Sequence, residues 1–318
     1  MSVALRVRNE PPGVVTIGSS TSERRRNAAI EPKSKTVVVV GAYFDGSTFR
    51  VGKVRGEHLQ TRHFATIATD APADVILEEM LDLIGRTMDD DVEGIGFGVP
   101  SVVDVEHGIV FETHNVPSWK RVNVKQAVES RFGVPCQVNN EANAFTVGEK
   151  YFGAGKGRRN LVGVILGTGL GAGVIFDGRL CNGANCGAGE IGHIPYLDGE
   201  VEDYCSRKFF AREAPQTNEV FLMGRAKRGD ADVVKLFERF GRHLGKAMLT
   251  VLYCFDPEIV VFGGPLADAF PYFESGMRQE LRAFTFRHSL QKLEIVPSAR
   301  ATGGIRGAAA IYLDMQSS

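Results

Sequence analysis

The stretch VNNEANAF (138–145) sets one carboxylate, Glu141, behind two asparagines at the end of the apolar run VPCQV. A carboxylate there can take the proton of a substrate hydroxyl, or it can be the acidic residue that favours the first turn of a helix. A second pair stands in GAGEIGHI, where Glu190 precedes His193 by three residues in a glycine-rich turn. Such a pair can hold a hydroxyl-bearing ligand or tie the turn to itself. The loop GTGLGAG (167–173) formally satisfies the dinucleotide pattern G-x-G-x-x-A, with Glu190 about 20 residues further on. That pattern needs a helix directly after the glycines, and VIFDGRL reads instead as a hairpin around Asp177-Gly178. A glycine loop between two strands suits backbone N–H groups and the Thr168 hydroxyl facing a terminal phosphate. Two more glycine turns, YFDGST (43–48) and Gly263-Gly264-Pro265, end apolar strands at the edge where open α/β sheets bind ligands.

The elements that must position these groups alternate in type. TVVVV (36–40) and TFRVGKV read as two strands joined by an Asp-Gly turn. Apolar spacing from Ala71 to Met88 predicts a helix, and GIGFGVP (94–100) a buried strand ending in a glycine-proline turn. VKQAVESRF, VPCQV and EANAFTVGEKYF follow as helix, strand and helix, with HNVPSW ahead of the first of them. A second unit begins near Asn160 with LVGVILG and the hairpin, continues through a long amphipathic helix (231–254) and the strand EIVVFGG, and closes with GGIRGAAAIYLD. This is α/β with two similar lobes. The expected division is a flexible N-terminal extension (1–35), an N-terminal lobe (36–145) on which the closing helix (303–314) packs back, and a C-terminal lobe (146–302).

Composition narrows the function classes. Of 318 residues, 43% are hydrophobic and 24% charged, and the net charge of −1 lacks the positive excess that nucleic-acid binding needs, so no nucleic-acid partner is expected. No run approaches the roughly 20 apolar residues of a membrane helix, nor is there the apolar core of a secretion signal, which points to the cytoplasm and no membrane partner. Five cysteines without a C-x-x-C pair fit reduced thiols better than a disulfide framework.

The order of parts resembles the ROK family of sugar kinases and repressors over nearly all of residues 36–314. GVPSVVD (98–104) is similar to its G-x-P-G-x-V-D, VNNEANAFTVGE (138–149) to N-D-x-N-A-A-x-x-G-E, LGTGLGAGVIFDGRL (166–180) to its phosphate loop and hairpin, and GAGEIGHIPYLDG (187–199) to G-E-x-G-H. The resemblance implies two duplicated actin-like (ribonuclease H-like) lobes with an ATP cleft between them. It implies that Asn140, Glu190 and His193 contact a sugar, with Ser101 and Asn115 as further candidates, and that Glu141 stands at the catalytic base position. Gly46, Ser47, Thr48, Thr168 and Gly169 would face the ATP phosphates, Gly263 and Gly264 would border the adenosine, and Asp45 is the nearest candidate for Mg²⁺.

Three positions depart from the family pattern. The base is Glu rather than Asp; D-x-G-G-T finds Tyr43 or Phe44 where its Asp should be; and the zinc motif C-x-C-G-x-x-G-C survives only as Cys205. His193 and Cys205 supply two of the four ligands a structural zinc needs, so no zinc is expected. The resulting expectation is a homodimeric, glucokinase-like enzyme that phosphorylates a hexose or amino-hexose hydroxyl with ATP and Mg²⁺. The alternative is a catalytically weakened sugar-binding sensor of the same fold. A DNA-binding repressor would need a winged helix domain, for which residues 1–35 lack length and periodicity.

Overall fold

The β-branched run predicted near residue 38 forms β1 (Val38–Phe44), buried along nearly its whole length. The computed structural model describes residues 37–113, 116–299 and 303–316, so the extension 1–35 and the candidate Asn115 lie outside the described residues. From β1 the chain turns back through β2 (Thr48–Arg55) and β3 (His58–Thr66), both antiparallel neighbours. Helix α1 (Ala73–Gly85) then leads to β4 (Gly94–Val99), parallel to β1 and fully buried.

A small three-stranded sheet follows, made of β5 (Val102–Asp104), β6 (Ile109–Thr113) and β7 (Val116–Asn123). It occupies the stretch around HNVPSW that the sequence pattern places simply ahead of a helix. These strands are short and mixed in polarity, and Trp119 is fully buried beside Phe44 with ring centroids 6.1 Å apart. Helix α2 (Val124–Phe132), β8 (Cys136–Asn140) and α3 (Glu141–Phe152) complete the first lobe, whose main sheet runs β3-β2-β1-β4-β8.

The second lobe repeats this plan. β9 (Leu161–Leu166), β10 (Leu170–Phe176) and the short β11 (Arg179–Leu180) are antiparallel neighbours. A hairpin of β12 (Pro195–Tyr196) and β13 (Gly199–Glu200) precedes α4 (Val201–Cys205), α5 (Arg207–Glu213), α6 (Glu219–Lys227) and the long α7 (Ala231–Phe255). β14 (Ile259–Gly263) lies parallel to β9, α8 (Phe270–Leu281) and α9 (Arg287–Lys292) follow, and β15 (Glu294–Pro297) pairs parallel with β14. The order β11-β10-β9-β14-β15 matches the first sheet strand for strand in direction, so the two lobes are duplicates in topology.

Two helices join the lobes. In α3 every residue from Ala142 to Glu149 is buried, and the expected boundary at 145/146 lies inside this helix. The Thr146 hydroxyl sits where Cβ atoms at Gly163 of β9 and Gly173 of β10 would fall, within 2.4 Å, so only glycine strands let α3 approach that closely. The closing helix α10 (Ile305–Met315) lies against β1 and β4, its Ile305 and Ala308 carbonyls directly over Gly41 and Gly96, and Lys150 of α3 pairs with Asp314 at 2.5 Å. Among the described residues no helix is long and apolar enough to cross a membrane.

Candidate active site

The carboxyl ends of β1, β4 and β8 stand side by side, with Tyr43, Gly98 and Asn139 in lateral register. Asn140 ends β8 and caps α3: its side-chain oxygen accepts the Ala142 N–H at 2.7 Å, and its amide nitrogen donates to the Ser101 carbonyl at 3.1 Å. Both ends of the Asn140 amide therefore hold backbone, which fixes where α3 begins. Glu141 is the first residue of that helix, partly buried, and the Tyr43 hydroxyl donates to its Oε2 at 2.9 Å.

Burial pushes the Glu141 carboxyl up to about 7; the Tyr43 hydroxyl holds it down against a further upward push from the charge of Asp45. Burial first, and then the Glu141 charge, raise Tyr43 well above the usual phenol range, so it stays a donor. The sequence marks Tyr43 only as the place where an Asp is missing. Its partnership with Glu141 spans 98 residues and depends on the pairing of three strands.

Asp45 is engaged within its own turn. Its Oδ1 accepts the N–H groups of Ser47 at 3.1 Å and Thr48 at 2.8 Å together with the Ser47 hydroxyl, while Oδ2 pairs with Arg50. Burial raises this carboxyl, but the Thr48 N–H and Arg50 outweigh it and its pKa lies below the usual value. Gly46 takes a left-handed conformation (φ 87°) that lets the turn close. Ser101 is buried, and its hydroxyl donates into the carbonyls of Phe111 and Glu112 rather than facing outward.

Glu190 immediately precedes, and His193 ends, a single 3-10 turn, Ile191–His193, laid directly on β10. Gly189 has φ 97°, and a Cβ there would fall 2.2 Å from the Ala172 carbonyl oxygen; one at Gly192 would fall 2.3 Å from that of Leu170. The G-x-x-G spacing of this turn is thus a requirement for contact with the strand. The same strand touches α3 beside Glu141, since Gly171 and Gly173 abut Ala142. A buried polar knot strengthens the approach: Asn139 donates to Asn182 at 2.9 Å, Asn143 donates to Asn139 at 2.9 Å, and the Cys186 thiol donates to Asn139 at 3.2 Å. Through these contacts the 182–193 segment of the second lobe is carried to the strand ends of the first.

His193 is half exposed and its Nδ1 lies 2.8 Å from Glu200 Oε2, while Nε2 is 3.9 Å from Glu190 Oε2. The bond to Glu200 is the main cause of an upward shift of the imidazole, opposed by partial burial and helped by Glu202 and Glu190. Cys205 is wholly buried in the core of the second lobe, where burial pushes its thiol up.

Thr168 and Gly169 form the turn between β9 and β10, Thr168 exposed. The loop is tied from below: the Arg207 N–H donates to the Gly167 carbonyl at 2.9 Å, and the Leu170 N–H donates to Glu202 at 3.3 Å. Gly263 pairs with Ile165 at the end of β14, and Gly264 (φ 81°) crosses so close to Leu166 that a Cβ would fall 2.4 Å from its carbonyl. The two glycine turns therefore lie side by side at the sheet end, with the Glu202 carboxylate against Gly169 and the Phe145 ring against Gly263.

The model of the ROK family matches residues 45–315. The chain belongs to the ROK family. A glucokinase of Thermotoga maritima is 28% identical over 312 residues, covering 88% of this chain and 98% of the relative. A xylose repressor of Bacillus subtilis is 28% identical over 258 residues, 76% of this chain and 66% of the repressor. The crystal structure of a ROK family glucokinase from Streptomyces griseus with glucose and AMPPNP superposes with a TM-score of 0.73 at 24% identity, over 86% of this chain and 97% of that one. This ROK chain thus has the actin-like two-lobe fold of the family's kinases and regulators.

Proposed function

We propose that this ROK protein is a cytoplasmic sugar kinase that transfers the γ-phosphoryl group of ATP to a hydroxyl of a hexose or amino-hexose. The observation that carries the reading is Glu141, a partly buried carboxylate at the mouth of the first sheet whose pKa is pushed up to about 7. A base that titrates near the working pH can accept a hydroxyl proton as the phosphoryl group leaves. Asn140 and Ser101 shape the turn that aims it, and Glu190 and His193, half exposed on the neighbouring turn, are the groups available to read sugar hydroxyls. The backbone of Thr168 and Gly169 would face the phosphates, with Gly263 and Gly264 beside the nucleoside.

Asp45 does not fit a magnesium ligand, since both its oxygens serve the turn and Arg50. Support comes from the relative named glucokinase and from the structural neighbour holding glucose and AMPPNP. One observation favours a second reading, a sugar-binding sensor: the Tyr43 hydroxyl already occupies an oxygen of the base. ADP release coupled to a spectrophotometric assay, run over hexoses and N-acetylhexosamines, separates the two. Sugar-dependent turnover supports the kinase; binding without turnover on any sugar supports the sensor.

A further inference from the structure

A carboxylate braces the turn that joins β9 to β10. Glu202 stands in the first turn of α4, and its Oε2 lies 2.6 Å from where a Cβ at Gly169 would fall, so it fills the space of the side chain that Gly169 lacks. The same oxygen accepts the Leu170 N–H at 3.3 Å, which fixes the course of the backbone after Thr168. The Glu202 Cβ also lies 3.5 Å from the place of a Cβ at Gly192. One residue is therefore wedged against both the glycine loop and the neighbouring turn, with 14% of its side chain exposed.

Backbone N–H groups in a glycine loop attract phosphate, and a bare carboxylate beside them repels the same ligand. Lys208 of α5 answers that charge: its Nζ donates to Glu202 Oε1 at 2.6 Å and to Asp203 Oδ1 at 3.1 Å. The bond to Glu202 is the main cause of an upward shift of the ammonium, against partial burial, so Lys208 stays charged. Arg207, one residue earlier, is committed to Glu219 at 2.5 Å. Its N–H holds the Gly167 carbonyl, and the buried Ser206 hydroxyl accepts the Lys208 N–H at 3.1 Å, so the start of α5 is pinned to the loop. We propose that Lys208 is a positioning residue that cancels the charge of Glu202, so that this carboxylate can brace the glycine loop without repelling the phosphates of a nucleotide. Lys208 acts through Glu202 and needs no contact with the nucleotide. The inference rests on the sugar-kinase reading, in which the loop faces ATP, and adds the device that lets an acidic brace serve an anion-binding loop.

The test uses the full chain, with AMPPNP affinity measured by calorimetry and the KM values for ATP and for sugar by ADP release. Lys208→Met and Lys208→Gln remove the charge, and both are expected to melt like the parent because the side chain is half exposed. Both should bind AMPPNP about tenfold to a hundredfold more weakly, with KM for ATP rising alike and KM for sugar unchanged. Lys208→Arg keeps the charge and the parental affinity. Adding Glu202→Gln to Lys208→Met brings the affinity back to within about threefold of the parent, because no bare carboxylate remains beside the loop. Parental AMPPNP affinity in both charge-removing variants overturns the inference. So does a double variant as weak as Lys208→Met, which would make Lys208 a direct phosphate ligand. A parent that binds AMPPNP but turns over no sugar defeats the kinase reading, and the calorimetric comparison still decides the role of Lys208. A parent that binds no nucleotide overturns both.

Discussion

A single hydroxyl governs the proposed base. Tyr43 donates to the ionised form of Glu141, and a bond to the charged form lowers a carboxyl pKa. Tyr43→Phe keeps the ring, which lies between Gly98 and Gly304, and removes that bond. The pKa of Glu141 then rises above about 7, so less of the base is ionised at neutral pH. The rising limb of kcat/KM against pH is expected to move up by roughly one unit, with the rate at pH 7 several-fold lower and the rate above pH 9 close to the parent. A limb that stays in place would show that the bond does not act on the base. Glu141 itself is legible from its neighbours, because N-N-E-A-N closes an apolar strand and opens a helix. Tyr43 is not, because its role depends on the register of β1, β4 and β8 rather than on any local pattern.

At the scale of elements, the turn from Gly189 to His193 works as a plate resting on β10. Gly189→Ala places a Cβ against the Ala172 carbonyl in a left-handed backbone, a strain on the order of 1–3 kcal/mol. The turn must lift, and a displacement of about 1 Å costs on the order of a hundredfold in rate. Thermal melting and steady-state kinetics should show a lowered Tm together with that loss in kcat/KM, and a variant with parental kinetics would mean that the turn does not present Glu190 and His193 to substrate. The glycines announce this turn in the sequence, as do the apolar runs of β1, β4, β9 and β14, buried on both faces in parallel pairs. The β5–β7 sheet was hidden because β5 and β6 are short and the adjacent, exposed Lys120 and Arg121 break the alternation of β7. Glu200 was hidden as well, its partner His193 being fixed only once the hairpin folds.

Over the whole molecule, the duplicated sheets are locked through α3 and α10. A methyl group at Gly96 would fall 1.8 Å from the Ala308 carbonyl, with backbone on both sides and nothing flexible to yield. Gly96→Ala is expected to lower stability by about 3 kcal/mol in urea denaturation, and a change near zero would mean that α10 does not seat on the first sheet. The site depends on the same lock, since α3 begins at Glu141 and is buried against the second lobe. The most direct test of the account is the rate of sugar-dependent ADP release at pH 8, where Glu141 is mostly ionised, for the parent and for Glu141→Gln. The expected result is a loss of about a hundred- to ten-thousandfold in kcat with sugar affinity retained. A variant that keeps the parental rate, or a parent that turns over no sugar, would contradict it.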